Sequence, residues 1–224
     1  MSNGHRILEF ADLPKMHPPI GIALLHTYGP PAIIRLSIDP IPLPTGIMKR
    51  EVRVDWLASP GNASAHQFLR DLGWSNLQDN LPNLKKLLIQ LPVTVNAQEL
   101  TGQAAIAVMA LLVSDLENGV LQTVLPIGSG GDYLVQKQGS HNSKQIEASG
   151  IRQAETASVS LSRLNEKKAQ VLKHSEDGYA SVTTFCCPGN GAETFVHSYL
   201  QYCAKPVNDA GNMSPNAEIR GKSK

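Results

Sequence analysis

The stretch that decides the fold is Gly128-Ser-Gly-Gly-Asp132-Tyr-Leu-Val135, followed after a polar loop by Gln145-Ile-Glu147-Ala-Ser149-Gly150. Tyr-Leu-Val behind a Gly-Gly turn reads as a strand over 132–136, and the next apolar, alternating run gives another over 144–151. Each opens beside or carries an acid. Glu147 and Ser149, two apart, share one face of their strand. Asp132 and Glu147 on neighbouring strands would let two carboxylates meet one hard divalent cation such as Mg²⁺ or Mn²⁺, a common arrangement for phosphodiester chemistry.

Working outward, Leu100, Ala104, Ala107, Val108, Leu111 and Leu112 fall at helical spacing across 97–117, and Asn118-Gly119 is a helix stop signal. A strand is expected over 120–127. Downstream, 156–173 predicts an amphipathic helix, with Val159, Leu161, Leu164 and Leu172 inward and Arg163, Glu166 and Lys167 outward. Tyr179-Ala-Ser-Val-Thr-Thr-Phe-Cys186 reads as a β-branched strand and 193–203 as a last helix. The tail from Ala204, without periodicity, is expected to be disordered.

The first 95 residues differ in kind. Runs over 20–28, 32–38 and 50–57, separated by Gly29-Pro-Pro and by the proline-rich 40–46, predict a β-rich meander, and 64–72 and 83–90 predict short helices, the second broken by Pro92. The expected division is thus a β-rich region over 1–95, an α/β core over 96–203 and a tail over 204–224.

Composition narrows the classes. The chain has 224 residues, 42% of them hydrophobic, enough for a substantial core. No run of about 20 uninterrupted apolar residues and no signal-peptide pattern predict a cytoplasmic protein without a membrane partner. Three cysteines, two of them adjacent, argue against a disulfide framework. Net charge is +1, yet 134–173 carries seven Lys/Arg against three Glu, a local +4 against −3 elsewhere. That excess suits a phosphate backbone, with Lys144, Arg163 and Lys167 as candidate nucleic-acid contacts; a solvated helix face is the alternative. Gly128-Ser-Gly-Gly lacks the following Gly-Lys-Ser/Thr of a P-loop. No two of the seven histidines stand at i, i+4 with accompanying Cys-x-x-Cys, which disfavours zinc.

The order helix, strand, strand, strand, helix, strand, with Asp132 at the second strand and Glu147 in the third, resembles the PD-(D/E)xK, or restriction-endonuclease-like, nuclease superfamily across 97–187. The resemblance implies an αβββαβ core, Asp132 and Glu147 as metal ligands, Glu99 as an accessory acid, Mg²⁺ or Mn²⁺ as cofactor and DNA as substrate, in restriction, repair or antiviral defence. Ser149 stands where the superfamily usually has lysine. A serine hydroxyl is neither cationic nor a competent base near neutral pH. Lys144, or Lys167 and Gln170 on the following helix, are the candidates to reach inward in its place. A catalytically silent scaffold of the same fold, serving a partner subunit or homodimer, is the second reading.

Overall fold

The computed structural model describes residues 6–37, 48–57, 66–126, 128, 131–154, 156–188 and 194–206. The chain is mixed α/β. Its strands are β1 (Arg6–Glu9), β2 (Lys49–Leu57), β3 (His66–Gly73), β4 (Gly119–Val124), β5 (Tyr133–Lys137), β6 (Ser143–Ile151), β7 (Asp177–Pro188) and β8 (Thr194–Ala204). Its α-helices are α1 (Leu13–Met16), α2 (Gly21–Leu36), α3 (Leu77–Asn80), α4 (Leu84–Thr94), α5 (Ala97–Glu117) and α6 (Ala157–His174). Among the described residues, all eight strands form one sheet in the order β1-β3-β2-β8-β7-β6-β5-β4. Helices cover both faces, α2 and α5 on one and α6 on the other.

Much of the second half follows its sequence pattern. In α6, however, Val159 and Leu161, expected inward, are exposed, while Lys167, expected outward, is largely covered. Asn96 caps α5 by accepting a hydrogen bond from the Glu99 N–H (2.8 Å), and Asn118 ends the helix in the left-handed region at φ 51°. Leu100, Ala104, Ala107, Val108, Leu111 and Leu112 are all buried, so α5 is the spine of the main core. By length and composition it is the one described helix apolar enough to cross a membrane, and most of it lies inside the protein. After it, β4, β5 and β6 run as an antiparallel meander, and α6 crosses over to β7, which pairs parallel with β6. Leu164 of α6 packs on Ala180, Val182 and Tyr199 in a smaller second core.

Four expectations are corrected here. Runs 20–28 and 32–38, expected as strands, form the single helix α2, which continues through Pro30 and Pro31. Each proline removes a helical donor and would break an isolated helix. Here Leu24, Leu25, Pro30, Pro31, Ala32, Ile33 and Leu36 are buried in the layer that packs on α5, and that burial outweighs the loss. Similarly, α4 runs past Pro92. Segment 64–72, expected as a helix, is in its described part the strand β3, held parallel by β1 (Leu8↔Leu72) and antiparallel by β2 (Val54↔Phe68). Segment 193–203, also expected as a helix, is in its described part the strand β8, with Val196, Leu200 and Tyr202 alternating into the main core. The N-terminal region therefore carries more helix than its expected β-rich character.

The change of character near residue 95 does not divide the sheet. β2 pairs parallel with β8 from Val52↔Val196 to Leu57↔Gln201, and one core cluster holds Leu8, Val52, Leu111 and Ile146 alike. The proline-rich segment 40–46 and the tail from residue 207 onward lie outside the described residues.

Candidate functional site

The meander brings the two acids of the opening motif together. Tyr133 of β5 pairs with Ile146 of β6, so Asp132, just before β5, stands opposite Glu147. Tyr133 is buried toward α2, where its hydroxyl donates to the Tyr28 hydroxyl (2.7 Å). Alternation then sends Asp132 to the other face, the α6 side. The Ala148 N–H donates to Asp132 Oδ2 (2.7 Å), and the Asp132 N–H donates to the Ile146 carbonyl (2.8 Å). The side chain thereby continues the ladder where the strand pairing stops.

Glu147 is buried, at 8% exposure, and meets α6. Lys167 Nζ donates to Glu147 Oε2 at 2.8 Å, and both side chains are largely covered. Burial pushes the Asp132 carboxyl above its usual range. The Ala148 N–H opposes that rise, the Glu147 charge adds to it, and Lys167 offsets it. Asp132, Glu147 and Lys167 line one cleft of about 510 Å³, with Tyr28, Gln170 and Lys173 also in its wall and His174 at its rim.

The spacing of α6 explains this cluster. Lys167, Gln170 and His174 lie three and four residues apart, hence on one stripe of the helix. Arg163, a turn earlier, pairs with Glu166 (2.9 Å) on the exposed side and does not line the cleft. Lys144 is also elsewhere: it is ion-paired with Asp177, its ammonium beside the Tyr202 ring. As an even-numbered residue of β6 it projects from the face opposite Glu147. Ser149 shares the face of Glu147, half-buried, and is not part of the cleft wall.

Glu99 is placed apart. Its Oε2 accepts from Asn96 Nδ2 and its Oε1 from Gln103 Nε2, both at 3.2 Å, so its described bonds belong to the start of α5. Ile106, the α5 residue in the cleft wall, stands about 10 Å further along the helix axis. Lys173 and His174 were not singled out from sequence as members of the cleft, although His174 falls on the Lys167 stripe.

No protein-family model, curated protein or solved structure matches this chain. The site therefore rests on its own geometry. Among the described residues no three His, Cys, Asp or Glu side chains converge as a metal cluster. Two carboxylates at one cleft still suit a hard cation that takes its other oxygens from water or phosphate, and Asp132 Oδ1 and Glu147 Oε1 are the oxygens not engaged in the bonds above. The elevated Asp132 carboxyl is what a shared cation would relieve.

A second cleft, about 650 Å³, flanks α6 on its other side, over β2, β3 and β8. There His197 Nε2 lies 3.0 Å from Asp55 Oδ2, and the Arg53 guanidinium stacks on Phe195 at 3.9 Å. None of the sequence-derived candidates lines it.

Proposed function

We propose that the protein is a metal-dependent nuclease, hydrolysing phosphodiester bonds in DNA, with an active site at Asp132, Glu147 and Lys167. The observation that carries the reading is the Lys167–Glu147 bond across from Asp132. It returns a lysine to the acid pair from α6, where Ser149 leaves the strand without one. The order α5, β4, β5, β6, α6, β7, with an antiparallel meander and a parallel crossover, supports the restriction-endonuclease-like core that the sequence resembles.

Asp132 and Glu147 would hold Mg²⁺ or Mn²⁺. When bound, such a cation supplies Lewis-acid polarisation of a phosphoryl oxygen and lowers the pKa of water. Lys167 orients Glu147 and offers its ammonium to negative charge developing on the phosphate. Lys173 adds positive charge at the same cleft and draws the backbone toward it.

Plasmid cleavage with Mg²⁺, Mn²⁺ or EDTA tests this. Asp132→Ala and Glu147→Ala are expected to abolish cutting, and Lys167→Met to reduce it by roughly 100-fold, as loss of one charge-stabilising donor does elsewhere. The second reading, a silent scaffold for a partner subunit or homodimer, has one observation in its favour: Lys167 already neutralises the charge of Glu147. Metal-independent DNA or partner binding that survives Asp132→Ala, with no cutting in any metal, selects the scaffold.

A further inference from the structure

Two guanidinium groups line a small recess whose described wall holds no carboxylate. The recess, about 330 Å³, lies where β6 ends and α2 ends, lined by Arg35, Ser37, Arg152, Gln153, Phe185 and Cys186. Arg35, in the last turn of α2, is half-buried, and its Nη2 donates to the Ala97 carbonyl at 2.8 Å. Its Nε is sealed from solvent and has no acceptor among the described residues. Burial and the charge of Arg152 both hold the Arg35 guanidinium below its ordinary pKa. The simplest account, a cation meeting the negative end of a helix dipole, explains one arginine. It does not explain a second guanidinium at the same recess, where the described wall holds no carboxylate between them.

We propose that this recess binds a phosphate-type oxyanion between Arg35 and Arg152. An oxyanion there balances two positive charges at once, in the forked geometry guanidinium groups offer to phosphate. The Ser37 hydroxyl and Gln153 amide add uncharged donors at its edge. The recess is distinct from the acidic cleft. Arg152 is five residues beyond Glu147, about 16 Å along the strand direction, and Arg35 belongs to the helical layer on the opposite face of the sheet. The inference therefore does not rest on the nuclease reading.

Thermal melting of the full chain titrated with sodium phosphate, against sodium chloride at matched ionic strength, is the test. Phosphate is expected to raise Tm beyond the chloride control. Arg152→Gln, at an exposed position compatible with folding, is expected to weaken phosphate binding at least about tenfold, the effect of losing one charge-assisted pair worth about 1.4 kcal/mol. Lys167→Gln, in the acidic cleft, is expected to leave that phosphate shift in place. A ten-residue oligothymidylate that competes with phosphate identifies a polynucleotide backbone as the source of the anion; one that does not compete identifies a small free anion. A shift no larger than chloride gives, or one unchanged in Arg152→Gln, overturns the proposal.

Discussion

His17 has no exposed surface, and both of its ring nitrogens are engaged. Nε2 lies 3.0 Å from the Ala110 carbonyl, and the Leu121 N–H donates to Nδ1 at 3.0 Å. That pair of bonds requires a neutral ring with its proton on Nε2. Burial lowers its pKa to about 4, so the folded protein resists a proton that the unfolded chain accepts near 6.5. The contribution is fully present above about pH 6.5 and is lost as pH falls toward 4, reaching about 3 kcal/mol. Urea unfolding at pH 7 and pH 4.5 is expected to show this loss, and His17→Gln a flatter dependence. Asp132 carries the opposite sign. Its folded pKa is raised, so its contribution is present below the ordinary carboxylate pKa and disappears as pH rises through the folded value. Asp132→Asn, which keeps an oxygen for the Ala148 N–H, is expected to raise the urea midpoint at pH 7, with a smaller gain at pH 4, while ending any cleavage.

Gly150 sets how closely β6 and α5 approach. A Cβ at this position would run into the Thr101 carbonyl, a backbone group of α5 that cannot turn aside. Gly150→Ala is expected to cost roughly 2 kcal/mol by overpacking, read as a lower urea midpoint, whereas Gly102→Ala, with open space around its position, is not. The contact also shows where sequence patterns inform and where they fail. α5 was legible because its apolar period and its Asn118-Gly119 stop agree, and β5 and β6 because alternation and turn residues agree. Local and tertiary signals conflict in α2, where two prolines argue for a turn and burial against α5 decides otherwise. β3 and β8 are short apolar runs that fit either period, and only strand partners far away in sequence settle them. The acid pair could be read from the motif, whereas the helical period put Lys167 outward, and only the packing of α6 on β6 turns it to Glu147. That Lys144 faces away was also readable, since it stands three residues from Glu147 on one strand; its pairing with Asp177 was not, since that depends on the register of β6 against β7.

At the scale of the molecule, β8 joins the two halves, hydrogen-bonded to β2 on one side and β7 on the other. A fragment spanning 96–206 would leave the outer edge of β8 without a partner and strip Val52 and Val54 from the shared core. Gel filtration with light scattering is expected to find that fragment self-associated or aggregated, where the full chain is not. A fragment that stays monomeric and cooperatively folded would show that 96–206 is self-sufficient. The central place of β8 also bears on how the protein is made. It is the last of the described strands to leave the ribosome, yet it belongs mid-sheet. Until it arrives, β2 and β7 both wait with open edges, and the nascent chain depends on closing a contact between residues about 140 positions apart. The sheet is therefore sealed only after every other described strand has emerged, and a chaperone that shields strand edges would matter most in that interval.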